Sequence, residues 1–165
     1  MNATIRRLKV EDAASFKAIR LEALRANPEL LRSTFEIEAK LDVAWFAGRL
    51  QSAYIVGAFQ NDELVGTAGF AVQDGPPNAH KGRLFGMYVS PSSRNLGFGR
   101  LLLNAALEVA RESVELVQLG VVSDNRPACS LYESAGFLPY GVEERASKYG
   151  EKYFDETLMI LDFRR

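Results

Sequence analysis

Met87-Tyr88-Val89-Ser90-Pro91-Ser92-Ser93-Arg94-Asn95-Leu96-Gly97-Phe98-Gly99-Arg100 is the stretch whose reading decides the fold of this chain. It begins as an apolar strand, breaks at Ser90-Pro91, crosses a short polar loop and enters a long amphipathic segment through two glycines. At such a helix start the first backbone N–H groups have no intrahelical partner, and the helix dipole favours negative charge. The stretch is therefore a ready anion site.

Working outward, residues 82–89 read as a strand with Gly86 inside it, where a glycine marks a bulge or a close backbone approach. Residues 97–112 carry the strongest helical period, with Phe98, Leu101, Leu102, Ala105 and Val109 on one apolar face. A strand follows over 114–122. Ser123-Asp124-Asn125 then turns into a helix that has Pro127 in its first turn and ends at Gly136. Strands over 138–147 and 152–161, separated by a turn at Tyr149-Gly150, complete this side. On the other side, 4–10 is a first strand, and Asp12 caps a helix over 13–24 that Asn27-Pro28 stops. Residues 29–41 are irregular. A second helix over 43–50 is capped by Asp42, and strands 54–59 and 64–72 form a hairpin through Asn61-Asp62. The order β α α β β β α β α β β predicts a mixed, three-layered α/β sheet in a single domain over residues 1–165.

The 165 residues are 47% hydrophobic and 25% charged, with a net charge of −1, which excludes the basic field of a nucleic-acid or polybasic membrane binder. One cysteine excludes an internal disulfide and one histidine a multi-histidine metal centre. No apolar run approaches the roughly 20 residues of a membrane span, and no secretory signal is visible, so a cytoplasmic location is expected.

Two motifs carry the chemistry. Arg94, Gly97 and Gly99 spell Arg-x-x-Gly-x-Gly at a helix start. Asn125, Ala128, Leu131, Tyr132, Gly136 and Phe137 spell Asn followed by Ala-x-x-Leu-Tyr-x-x-x-Gly-Phe. Together, in this order and context, they resemble the GNAT superfamily of acetyl-CoA-dependent N-acetyltransferases. The resemblance implies a mostly antiparallel sheet of about seven strands with helices on both faces. It also implies acetyl transfer from acetyl-CoA to a primary amine of a small molecule, peptide or protein N-terminus, without a metal, in an enzyme that is often a homodimer.

The resemblance assigns roles that the residue chemistry supports. Backbone N–H groups of Arg94, Asn95, Leu96, Gly97, Phe98, Gly99 and Arg100 would cradle the CoA pyrophosphate, and the Arg94 and Arg100 side chains would add charge-assisted contacts. Met87, Tyr88 and Val89 would offer backbone groups to the pantetheine arm, with one N–H polarising the thioester carbonyl. Asn125 would bind from the other wall. Tyr132 would protonate the leaving thiolate, since a phenol is a reasonable donor to a thiolate of similar basicity.

The amine's own base is less defined. The family's two usual carboxylate positions hold Arg83 and Gly120 here. Tyr88, His80 or an acid of the Glu36–Glu38 region acting through water are the candidates. Glu36, Glu38 and Asp42 could also form an acidic rim that favours a cationic amine, with Tyr88, Arg20, Glu22, Tyr149, Tyr153 and Asp155 as further pocket candidates. Cys129, Trp45 and Phe46 read as core. The alternative reading is a non-catalytic acyl-CoA-binding or sensing domain. A P-loop or dinucleotide fold lacks its glycine signature here.

Overall fold

A computed structural model describes residues 2–165. Seven strands form one sheet in the order β1-β2-β3-β4-β5-β7-β6. They are β1 (Ala3–Arg7), β2 (Tyr54–Gln60), β3 (Glu63–Val72), β4 (Lys81–Val89), β5 (Leu116–Val122), β6 (Leu138–Tyr149) and β7 (Lys152–Asp162). The helices are α1 (Ala13–Ala26), α2 (Phe35–Glu38), α3 (Val43–Ser52), α4 (Phe98–Ser113) and α5 (Arg126–Ser134). Every strand pair is antiparallel except β4 with β5.

The two faces are covered differently. α4 and α5 bury Phe98, Leu102, Leu103, Ala106 and Tyr132 against Ala68, Leu84, Val117, Leu119, Val121 and Met159. Each fully buried Leu there contributes about 1.5–3 kcal/mol. On the opposite face α1 and α3 pack Phe16, Ile19, Phe46 and Leu50 on Ile55 and Tyr88.

Four local expectations are corrected. The first strand stops at Arg7, because the Asp12 carboxylate accepts the Lys9 N–H and pairs with Arg6, which curls residues 10–12 into a 3-10 turn. Asp12 is thereby spent and makes no side-chain cap bond to α1. The irregular segment contains α2, capped by the Thr34 hydroxyl, which accepts the Ile37 N–H; four residues are too few to show a helical period. Val114 still belongs to the end of α4, donating to the Ala110 carbonyl, so β5 begins at Leu116. Asp42 and Asn125 do cap their helices, accepting from Trp45 N at 3.0 Å and Ala128 N at 3.3 Å.

Gly86 has φ +61 and sits in a β-bulge, where Gly86 and Met87 oppose Ala68 alone. The Thr67 hydroxyl donates to the Gly86 carbonyl at 3.1 Å and holds the bulge from β3. β4 and β5 pair only at Lys81↔Leu116, Gly82↔Val117 and Arg83↔Gln118. Beyond that they part, and the opening lies at the head of α4.

Candidate functional site

Two cavities lie on either side of the bulge, Gly86 lining one and Met87 the other. The first is a groove of about 460 Å³ whose walls include Met87, Tyr88, Val89, Arg94, Asn95, Gly97 and Gly99 on one side and Asn125, Ala128 and Leu131 on the other. Gly97 is the N-cap of α4 at φ +88, a left-handed conformation that costs an L side chain about 1–2 kcal/mol. A Cβ there would meet nothing within 4 Å, so the space in front of the helix is open. A Cβ on Gly99 would instead touch Leu131 Cδ2 at 3.4 Å, so this glycine lets α5 approach. The N–H of Leu101 closes on the Gly97 carbonyl, while the N–H groups from Asn95 to Arg100 reach no backbone carbonyl among the described residues. A row of such N–H groups at a helix start fits a phosphate.

Arg94 is tethered within this wall. Its Nε donates to the Val89 carbonyl at 2.9 Å, and its guanidinium lies 5.7 Å from the centre of the Tyr88 ring. Arg100 donates to the Ser134 hydroxyl, and Leu96 is exposed; neither side chain lines the groove. Phe98 is core, so its contribution to the groove is its backbone. Tyr132 is buried on α5 against Phe137 and lines neither cavity. Its hydroxyl makes no hydrogen bond among the described residues, and burial pushes its pKa up. Cys129 is half-buried, and burial, with Glu133 nearby, raises its thiol.

The second cavity, about 230 Å³, lies under α1 and α3 and is lined by Phe16, Trp45, Phe46, Phe85, Gly86 and Ser33, with the charged residues Arg20, Glu38 and Arg49. Glu38 is 3% exposed and forms a two-bond pair with Arg20, Nε–Oε1 2.9 Å and Nη2–Oε2 3.0 Å. Burial alone would raise the Glu38 pKa; the bonds from Arg20 and Ser33 outweigh it and hold the carboxyl below its ordinary value. Arg49 lies over the Phe85 ring at 5.6 Å and has no carboxylate partner among the described residues. Two guanidiniums against one carboxylate leave this cavity cationic.

The three acids expected to form a common acidic rim do not do so. Glu38 is neutralised by Arg20, Asp42 caps α3, and Glu36 is exposed and lines neither cavity. Tyr88 is no free base, because burial and its 2.8 Å bond to Glu22 push its hydroxyl up to about 12. His80 lies at the start of β4, beside Glu115, at the opposite end of the strand from the groove. Tyr149 and Tyr153 are half exposed on the last hairpin, Asp155 accepts the Arg145 N–H, and none of the three lines either cavity. Trp45 is 43% exposed at the cavity mouth rather than core, whereas Phe46 is fully buried.

Arg49, Arg32 and Glu156 were not singled out from the sequence. Arg49 follows α3's helical period as an ordinary polar-face residue. Arg32 and Glu156 pair across 124 positions, which no local pattern signals.

The sequence profile of the Acetyltransferase (GNAT) family matches residues 16–137. The chain is 32% identical over 142 residues to the mycothiol acetyltransferase of Sanguibacter keddieii, covering 84% of this chain but 44% of that protein. It is 27% identical over 153 residues to the L-amino acid N-acetyltransferase AaaT of Escherichia coli, covering 90% and 92% of the two chains. A GNAT-family acetyltransferase structure from Streptococcus pneumoniae superposes with a TM-score of 0.87 at 26% identity, over 98% of this chain and 99% of that one. The split between β4 and β5, the glycine entry to α4 and these likenesses agree: the chain belongs to the Acetyltransferase (GNAT) family.

Proposed function

We propose that the chain transfers the acetyl group of acetyl-CoA to the primary amine of a small acceptor that also carries a carboxylate. The observation that carries the reading is the placing of two unlike cavities on either side of the bulge: an N–H-lined groove at a helix start, and a compact cationic cavity with aromatic walls. Acetyl-CoA supplies an activated acyl carbon, and the residues present fit it. The N–H groups of residues 95–100 would hold the pyrophosphate, with Gly97 keeping the space in front of them open. Met87 and Val89 beside the bulge, with Asn125 opposite, would orient the pantetheine arm. A β4 N–H freed where β4 parts from β5 would donate to the developing oxyanion.

Tyr132 is the proton donor for the leaving sulfur. Burial makes its phenol a weaker acid, but a thiolate released into the same dry space is destabilised by the same loss of water, so the match of basicities survives. On the acceptor side, Arg49 has no anion of its own and stands at the cavity mouth, where it would pair with a carboxylate. The small volume suits an amino acid or a similar amine, and the likeness to an L-amino acid N-acetyltransferase supports the same class. The cytoplasm, where acetyl-CoA is made available, belongs to the proposal.

The test is thiol release from acetyl-CoA over a panel of α-amino acids, their decarboxylated amines and short peptides. Turnover of amino acids with loss on decarboxylation is expected. Equal turnover of the decarboxylated amines would overturn the acceptor class. Tight CoA binding with no turnover on any amine would favour a sensing domain instead.

A further inference from the structure

The proposed reaction needs an acceptor for the ammonium proton, and two acids of the α1–α2 side, Glu38 and Glu22, already bind neighbouring donors. Both oxygens of Glu38 are held by Arg20. The Oε2 atom of Glu22 accepts the hydroxyls of Tyr88 and Ser90. Glu156 on β7 is buried, whereas Glu22 is exposed. Glu156 is paired with Val122 of β5, and Leu158 with Gly120, so these residues share one face of the sheet. Val117, Leu119 and Val121 point into the α4–α5 core, so the Glu156 face is the opposite one, covered by α1 and α3.

The Glu156 carboxylate lies over Gly120. A Cβ built on that glycine would stand 3.3 Å from Oε2 and 3.8 Å from Oε1. The missing side chain at position 120 thus leaves room for an acid delivered from the neighbouring strand. Arg32 reaches across from the segment between α1 and α2 and binds Oε2, as well as Glu143 Oε2 of β6 at 3.2 Å. Glu156 is 8% exposed, and its Oε1 has no hydrogen-bond partner among the described residues. The strap that carries Arg32 also places the segment. Asn27 and Leu30 line the groove, and Ser33 lines the cationic cavity. Glu156 lines neither cavity; it sits under the strap whose residues reach both, level with the part of β5 that has parted from β4.

We propose that Glu156 accepts the proton of the acceptor's ammonium group through its free Oε1, directly or through one water, with Arg32 as the residue that positions it. This rests on the acetyltransferase reading above. One N–H bond breaks and its proton passes to Oε1 and on to solvent. The freed nitrogen lone pair forms the C–N bond to the acyl carbon as the C–S bond breaks. The second proton lost from nitrogen balances the one that Tyr132 gives to sulfur. The charged groups facing Glu156 are Arg32 from the strap and Glu143 from β6; Gly120 and Val122 of β5 bring none.

The experiment compares wild type, Glu156→Gln, Glu156→Asp and Arg32→Gln for kcat and kcat/KM against pH, together with CoA affinity by calorimetry and Tm. Wild-type turnover on an amine panel tests the acetyltransferase reading by itself. Given that turnover, Glu156→Gln is expected to lower kcat near neutral pH by about 100-fold. CoA affinity stays unchanged, and kcat/KM now climbs with pH toward the amine's own pKa. Glu156→Asp keeps the wild-type shape at reduced rate and covers the case in which the amide variant folds poorly. Arg32→Gln lowers kcat by less than Glu156→Gln does and leaves CoA affinity unchanged, because the base remains but is no longer held in place. A Glu156→Gln profile parallel to wild type, or equal losses in all three variants tracking a fall in Tm, would overturn the proposal and leave the Arg32–Glu156 pair a structural tie.

Discussion

The groove at the head of α4 and the cavity under α1 and α3 flank the bulge at Gly86 and Met87, yet they are made of different materials. The groove is chiefly backbone: N–H groups of residues 95–100, the strand edge of Met87 to Val89, and a glycine at φ +88. Its parts lie within one contiguous stretch and one helix start, with Asn27 and Leu30 added from the segment after α1. The cavity is chiefly side chains, drawn from α1, α2, α3, β3 and β4. Backbone geometry is fixed by local residue types such as glycine and proline. A side-chain pocket depends on which distant surfaces the fold brings together, so its charge does not follow from any one segment. The expected acidic rim shows the difference. Three acids close in sequence have three separate fates, and the cavity they border is cationic.

The comparison can be broken most directly at the chemistry between the two halves. Tyr132→Phe removes a hydroxyl that makes no hydrogen bond among the described residues, so Tm is expected to hold while kcat falls about 100-fold. If kcat is unchanged while CoA and acceptor both bind, Tyr132 belongs to the core alone. On the donor side, Gly97→Val places a β-branched residue at a left-handed φ. The free variant escapes the roughly 1–2 kcal/mol of strain by leaving that φ and CoA binding must restore it, which predicts about a tenfold loss of CoA affinity by calorimetry, with acceptor affinity spared. On the acceptor side, Arg49→Gln removes an exposed cation. KM for a carboxylate-bearing amine should rise about tenfold with little change in kcat or in CoA affinity. If instead CoA affinity falls with Arg49, the two halves are not separable in this way.

The smallest effect concerns stability. The Glu38 carboxyl is held below its ordinary value, because its bonds from Arg20 and Ser33 outweigh the burial that would raise it. A lowered folded-state pKa contributes stability that is complete above the unfolded value and is lost as pH falls through the folded one. Wild type should therefore lose Tm more steeply than Glu38→Gln once the pH drops below about 4.3. Parallel Tm curves for the two proteins would show that the Arg20 pair carries no net stabilisation, as is common when desolvation matches Coulomb gain.

Much of the fold was legible because its signals are local. The short apolar runs of β2 and β3, the Asn61-Asp62 turn at φ 53 and 67, the apolar stripe of α4 and the Asn125 cap each depend on residues a few positions apart. The errors came where a side chain had two possible local partners or where an element was short. Asp12 bonds backward to Lys9 and Arg6 instead of forward into α1, and α2 has too few residues to show a period.

By itself, the sequence determined the glycine entry at the head of α4, the second motif on α5 and the order of strands and helices. Each of these is set by the conformational limits of glycine, proline and alternating apolar residues over short spans. Only the tertiary structure decided the sign of the acceptor cavity and the place of Glu156. Both depend on pairings between residues far apart in the chain: Arg20 with Glu38, and Arg32 with Glu156 over the gap left by Gly120. Register between β5 and β7 puts that carboxylate beside the glycine, and the packing of α1 and the segment after it supplies the cation. Charge pairing acts through space, so it is settled only once the sheet and its covering helices have closed.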